Sequence, residues 1–227
     1  MMAKWINWSG SADLLIFFNG WGMDARPFSR LDSSGLDVLM FYDYSNLELP
    51  CDITALTREY SKCHLTAWSL GVWAAAGALS GRQINCSGAV AINGTLQPVD
   101  AENGIAPEIF QGTLDSWNAV TRKKFYRRMC VSLETTAAFC ATEPERDADS
   151  QRQELAAIQQ IFMQQSALPC RNLFDRAVIG SEDRIFPAAA QEKFWTAAGI
   201  PCKIIPAPHY PFAGLRYWKE LIDFGQN

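Results

Sequence analysis

Cys63-His64-Leu65-Thr66-Ala67-Trp68-Ser69-Leu70-Gly71-Val72-Trp73-Ala74-Ala75-Ala76 is the stretch on which the fold turns. Its first part, Cys63 to Thr66, reads as a short buried strand, and the alanine-rich run from Val72 to Leu79 is helical by propensity and stops near Gly81. Between them Ser69 sits in a turn, with small residues two places before it (Ala67) and two places after it (Gly71). A sharp strand-to-helix turn that lifts a nucleophilic serine needs small neighbours at those positions, and its usual pattern is G-x-S-x-G. Ala67 in place of the first glycine is a mild departure. The competing reading is a serine that merely caps a helix.

Outward from this turn, strands and helices alternate. Leu14 to Phe18 reads as a buried strand ending in the glycine turn Asn19-Gly20-Trp21-Gly22, and Lys4 to Trp8 as an antiparallel edge strand before it. Leu36 to Tyr42, Gly88 to Ile92, Arg176 to Ile179 and Cys202 to Ile205 supply further strands. Ile53 to Tyr60, Pro187 to Ala198 and Phe212 to Phe224 read as helices. Such alternation predicts an α/β fold with a mostly parallel sheet and helices on both faces. From about residue 95 to 169 the pattern turns helical throughout, with helices expected over roughly Leu114 to Ser132 and Asp149 to Gln165. This block predicts a helical lid inserted into a single domain whose core is 1–94 and 170–227, lying over the carboxyl ends of the strands, where open α/β sheets bind ligands.

Composition narrows the function. The chain has 227 residues, 48% of them hydrophobic and 19% charged, with 20 Lys and Arg against 24 Asp and Glu. A net charge of −4 argues against a nucleic-acid-binding domain. No apolar run approaches the roughly 20 residues that span a bilayer, and Met1 to Ser9 is too polar for a signal peptide, so a cytoplasmic protein with no membrane partner is expected. The seven cysteines, at 51, 63, 86, 130, 140, 170 and 202, form no C-x-x-C and have no metal-ligand spacing. Free thiols in a reducing compartment, and no metal, are expected.

Two histidines exist to serve Ser69. His64 lies five residues back along the same strand, about 15 Å away at the strand's rise, which suits a sheet histidine. His209, in Pro206-Ala207-Pro208-His209-Tyr210-Pro211-Phe212 after the last strand, is the candidate general base. Asp183, in the turn after Arg176 to Ile179, is the candidate orienting acid, with its neighbour Glu182 in reserve. The order Ser69, Asp183, His209 is that of α/β-hydrolases. Backbone N–H groups of Leu70, at the helix start, and Trp21, in the glycine turn, are the candidate oxyanion hole.

The Asn-Gly-Trp-Gly-Met-Asp loop (19–24), the Ala-Trp-Ser-Leu-Gly-Val-Trp-Ala elbow (67–74) and the Pro-His-Tyr-Pro-Phe loop (208–212) together resemble the BioG-type pimeloyl-[acyl-carrier protein] methyl ester esterases, short α/β-hydrolases of biotin synthesis. The likeness covers the core at both ends, about two-thirds of the chain, and the lid carries no matching motif. It implies hydrolysis of the methyl ester of pimeloyl-acyl-carrier protein through an acyl-enzyme on Ser69, with His209 as base and then acid and Asp183 holding the imidazole tautomer. Trp21 and Leu70 would hold the oxyanion, and no cofactor would be needed. The implied partner is an acyl carrier protein bearing the ester, and a monomer is expected.

The lid adds an independent hint. Arg122, Lys123, Lys124, Arg127 and Arg128 put five positive charges within seven residues. At helical spacing Lys123 lies one turn from Arg127, and Lys124 one turn from Arg128. A basic face on an acidic protein suits the docking of an acidic carrier protein or the phosphate of its prosthetic arm, and equally a plain solvated helix face. Trp21, Trp68, Leu70 and Phe125 are candidates to line the acyl path. An acyl-carrier-protein thioesterase or a broad small-ester carboxylesterase would use the same triad. A hydrolase-like binding protein is the reading from outside enzymology.

Overall fold

The computed structural model describes residues 1–164 and 173–225. Seven strands form one sheet: β1 (Met2–Asn7), β2 (Asp13–Phe18), β3 (Asp37–Tyr42), β4 (Lys62–Trp68), β5 (Gly88–Ile92), β6 (Arg176–Gly180) and β7 (Cys202–Ile205). Their order across the sheet is β1-β3-β2-β4-β5-β6-β7. Only β1 runs antiparallel, on β3 at the edge, and every other pairing is parallel. Parallel strands need covering on both faces, and the central ones are mostly apolar and buried. Leu14 through Phe18 on β2 are all fully buried.

The core helices are α1 (Ile53–Arg58), α2 (Leu70–Ala78) and, after the insertion, α7 (Ala188–Ala197). Asp52 starts α1 by accepting from the N–H groups of Thr54 and Ala55. α2 is buried on nearly every residue, as its run of alanines requires. It packs so closely on the end of β2 that a Cβ at Gly71 would collide with the backbone oxygens of Phe18 and Asn19. Between β5 and β6 the chain leaves the sheet, and the described residues there form four helices: α3 (Pro107–Ser116), α4 (Ala119–Cys130), α5 (Leu133–Cys140) and α6 (Ala148–Gln164). The expected boundary at 169/170, Cys170 and the end of the last insertion helix at Gln165 fall outside the described residues.

Two expectations are corrected. The single helix over Leu114 to Ser132 is two helices, because Trp117 is extended and Asn118 opens a new one. The Asn118 side chain accepts from Val120 and Thr121 N–H, while Thr121 Oγ1 accepts from Asn118 N–H. The helix expected over Phe212 to Phe224 is reduced to a 3₁₀ turn, Trp218–Leu221. Here the chain stays extended at Tyr217 to bridge Asp32: Asp32 N–H donates to Arg216 O, and Trp218 N–H donates to Asp32 O. Its apolar side chains are buried all the same. Phe212 and Trp218 join Phe17 and Phe28 in a cluster of rings with centroids 5.1 to 6.4 Å apart, and Trp68 and Tyr210 extend it toward the loop that carries His209. Fully burying each such side chain is worth roughly 1.5–3 kcal/mol. Among the described residues no helix is long and apolar enough to cross a membrane.

Candidate active site

Ser69 sits between β4 and α2 with φ +58° and ψ −130°, a conformation that costs an L-residue energy and persists only when its surroundings enforce it. The enforcement is visible on three sides. Ser69 N–H donates to Ile92 O at 2.9 Å. Gly71 permits the contact of α2 with the end of β2, and a Cβ at Gly94 would collide with Ser69 O. Ala67 is tolerated where glycine is usual because it pairs with Phe18 on one side and the small Ala91 on the other.

From Ser69 a hydrogen-bonded chain runs inward. Ser69 Oγ lies 2.9 Å from His209 Nε2, and His209 Nδ1 lies 2.8 Å from Asp183 Oδ2. Asp183 is buried at the end of β6 and accepts three further bonds, from the N–H groups of Ile185 and Phe186 (both 2.8 Å) and from Gln191 Nε2 (3.1 Å). A carboxylate so supplied with donors remains an acceptor toward His209, which places the imidazole proton on Nδ1 and leaves Nε2 free to accept from the serine. Glu182 is exposed in the same turn and stands away from this chain. His64 is half-buried on β4, paired with Leu15 and Gly88 five residues back along the strand from Ser69, and burial lowers its pKa.

His209, the candidate base, is held through its backbone. His209 O accepts from Trp68 Nε1 at 2.8 Å and from Asn93 Nδ2 at 3.0 Å. Asn93, fully buried after β5 with φ +47°, also accepts from Gly180 N–H at 2.7 Å, so one side chain ties the end of β6, ahead of Asp183, to the loop of His209. Sequence reading missed Asn93 and Gln191. The Asn93-Gly94 pair that ended the strand was the available signal for the first, and nothing local marks the second.

Ser69 and His209 open onto a pocket continuous with solvent, lined chiefly by apolar side chains that include Ile109, Phe110, Phe125 and Met129 of the insertion. Trp21, Trp68 and Leu70 reach its wall, so all four expected acyl-path residues meet there. Trp68 is nearly sealed from solvent and spends its indole N–H on His209. Trp21 packs between Trp117 (4.5 Å) and Phe125 (5.5 Å) of the insertion. Trp21 and Leu70, the candidate oxyanion-hole residues, line the same cavity as Ser69, and Leu70 opens α2, where the helix dipole favours negative charge.

Among the five basic residues of α4, Lys123, Lys124, Arg127 and Arg128 are exposed and Arg122 is half-buried. Arg122 donates to Arg146 O, and Arg128 reaches the cavity wall while donating to Arg184 O. Glu154 and Gln151 of α6, unmarked in the sequence, contact the Trp21 turn directly. Burial pushes the Glu154 carboxyl up, and the guanidinium of Arg146 beside it opposes that shift.

Residues 1–221 match the family described as "Pimeloyl-ACP methyl esterase BioG". The chain belongs to the BioG family. A crystal structure of BioG from Haemophilus influenzae superposes with a TM-score of 0.87 at 32% identity, covering 98% of this chain and 100% of that one. A thermophilic esterase from Thermogutta terrifontis shares the fold at a TM-score of 0.58 and 13% identity, over 93% of this chain and 87% of that one. A Bacteroides fragilis protein named malonyl-[acyl-carrier protein] O-methyltransferase is 40% identical over 184 residues, 81% of this chain. Those residues are 36% of that protein, so this chain spans little more than a third of the relative's length. The fold of this BioG family member is the α/β-hydrolase fold that the order of Ser69, Asp183 and His209 implied.

Proposed function

We propose that this chain hydrolyses the methyl ester of pimeloyl-acyl-carrier protein, releasing methanol and leaving a free carboxylate at the far end of the carrier-bound chain. The observation that carries the proposal is the Ser69–His209–Asp183 hydrogen-bonded chain at the floor of an apolar cavity roofed by a helix with an exposed basic face. Membership of the BioG family supports the substrate. The Bacteroides relative, named for methylating a malonyl chain on the same class of carrier, supports a link to carrier-bound methyl esters.

In the proposed reaction Ser69 Oγ gives its proton to His209 Nε2 and attacks the ester carbonyl. Negative charge gathers on the carbonyl oxygen and is held by the N–H groups of Trp21 and Leu70. Collapse breaks the bond to the methoxy oxygen, which takes the proton from His209 and departs as methanol. Water, losing a proton to His209, then attacks the acyl-enzyme. The carboxylic acid leaves and Ser69 recovers its proton. Asp183 stabilises the imidazolium in both halves without taking the proton. The insertion acts as a lid that supplies the apolar wall, and Arg122, Lys123, Lys124, Arg127 and Arg128 dock the acidic carrier. Such a reaction belongs in the cytoplasm and needs no cofactor.

The test is mass analysis of pimeloyl-acyl-carrier-protein methyl ester after incubation with the protein and with Ser69→Ala. Exchange of the methyl for hydrogen on an intact carrier adduct, abolished in the variant, is the expected result. Free carrier thiol would instead make the protein a thioesterase. An untouched methyl ester beside Ser69-dependent turnover of p-nitrophenyl esters would leave a general carboxylesterase.

A further inference from the structure

The helical insertion does more than cover the cavity. Its helix α6 reaches 130 residues back in sequence to grip the turn that bears Trp21. Gly22 N–H donates to Glu154 Oε2 at 3.1 Å, Gly22 O accepts from Gln151 Nε2 at 2.7 Å, and the Trp21 indole N–H donates to Gln151 O at 2.8 Å. Three bonds from two residues of α6 therefore fall on two consecutive residues of the turn. They fix both peptide groups that flank the Gly22 Cα, which lies at φ +71°. The turn's own closing bond, Met23 N–H to Gly20 O, is 3.3 Å long, past the usual range for such bonds and weak. The Trp21 N–H belongs to the preceding peptide, between Gly20 and Trp21, whose carbonyl takes that weak bond, so the held indole and the held Trp21–Gly22 peptide on its far side limit how it can turn.

Glu154 is costly to keep there. It is fully buried, and a buried carboxylate is tolerated only when paired and hydrogen-bonded. Arg146 Nη1 lies 2.5 Å from Glu154 Oε2, and the Arg146 Nη2 contacts Asp43 at 3.1 Å. Tyr44 N–H donates to Glu154 Oε1 at 2.9 Å. Pairing with Arg146 also cancels a negative charge that would otherwise oppose the charge growing on a substrate oxygen nearby.

We infer that Gln151 and Glu154 are positioning residues for oxyanion stabilisation: through Gly22 and the Trp21 indole they aim the Trp21 N–H at the carbonyl oxygen of the substrate. This rests on the proposed role of Trp21 as an oxyanion donor. It also makes α6 a fixed part of the reacting centre.

The experiment uses Gln151→Leu, which removes the amide while keeping the backbone carbonyl, and Glu154→Gln. Thermal melting checks folding, and because Glu154→Gln leaves Arg146 without its main partner, Gln151→Leu keeps the inference testable if that variant fails to fold. Rates are measured with p-nitrophenyl butyrate, which needs no carrier. Binding is measured with phenyl trifluoromethyl ketone, which forms an oxyanion-bearing adduct with a serine nucleophile. The expected result is a fall in kcat of about ten- to a hundredfold with KM nearly unchanged, matched by an equal loss of ketone affinity. Folded variants with unaltered kcat, or with the loss confined to KM, would overturn the inference. Ser69→Ala separates the two levels. If it is inactive while the α6 variants run at full rate, only the clamp fails. If it retains activity, the proposed reaction fails and the clamp with it.

Discussion

Ser69 is held in an unfavourable backbone conformation by neighbours that leave no room for alternatives, and Gly71 is the residue on which that depends most. Adding a Cβ there forces α2 off the end of β2 and carries the Leu70 N–H with it. Gly71→Ala is expected to destabilise the protein by about 1–3 kcal/mol, as overpacking of a filled interior does, and to lower kcat by about a hundredfold. Thermal melting and ester hydrolysis on the same preparation check both. In the proposed mechanism Asp183 holds the proton on His209 Nδ1. In Asp183→Asn the side-chain amide can turn its N–H₂ toward the ring and favour the wrong tautomer, so kcat is expected to drop by about ten-thousandfold with melting little changed. A drop of less than tenfold would mean that another group orients the imidazole.

At the scale of elements, the helix start at Asn118 gives a direct test of the insertion's architecture. Asn118→Ala removes bonds to two N–H groups of α4 and should cost about 1 kcal/mol, read as a lower melting temperature. The start of β3 offers a pH test. Burial pushes the Asp37 carboxyl up, but bonds from the Ser9 N–H and hydroxyl and from the Tyr60 hydroxyl outweigh it and leave the pKa below its ordinary 3.8. Burial, and then the bond to Asp37, push the Tyr60 phenol up to about 12. A depressed carboxylate stabilises the fold fully above its unfolded pKa and loses that contribution as pH falls through the folded one. Urea midpoints should therefore show an acid-side decline that is smaller in Asp37→Asn. Most strands were legible in the sequence as short, mostly apolar runs, with β2, β5, β6 and β7 closed by glycine, asparagine or proline. Ser69, Asp183 and His209 were legible because each sits at the end of such a run. The loss of the expected last helix was not, since Phe212, Trp218, Leu221 and Phe224 have helical spacing yet are buried from a path of turns on which Tyr217 is held extended beside Asp32. Gln151 and Glu154 were not either: on a polar helix they look like surface residues, and only the arrival of the Trp21 turn gives them a partner.

Across the whole molecule the charge distribution is uneven. The chain is acidic overall, while Lys123, Lys124 and Arg127 project from one helix of the insertion. If an acidic carrier is steered to that face, the triple variant Lys123→Glu, Lys124→Glu, Arg127→Glu should lose tenfold or more (roughly) of kcat/KM on the carrier-bound ester at low salt. The deficit should shrink at high salt, and turnover of a p-nitrophenyl ester should not change. Equal losses on both substrates would assign the effect to the fold of the insertion.

The grip of α6 on the turn after β2 bears on how such enzymes can be recombined. The turn and the helix are 130 residues apart in sequence but share three hydrogen bonds, and Asp24 in the same loop accepts from the Glu145 N–H ahead of α6. Grafting a roof from another α/β-hydrolase onto this sheet would remove those partners, even if the new roof covered the cavity equally well. Segments 19–24 and 145–154 would have to be inherited together, and a library of chimeras should yield active clones chiefly where both come from one parent.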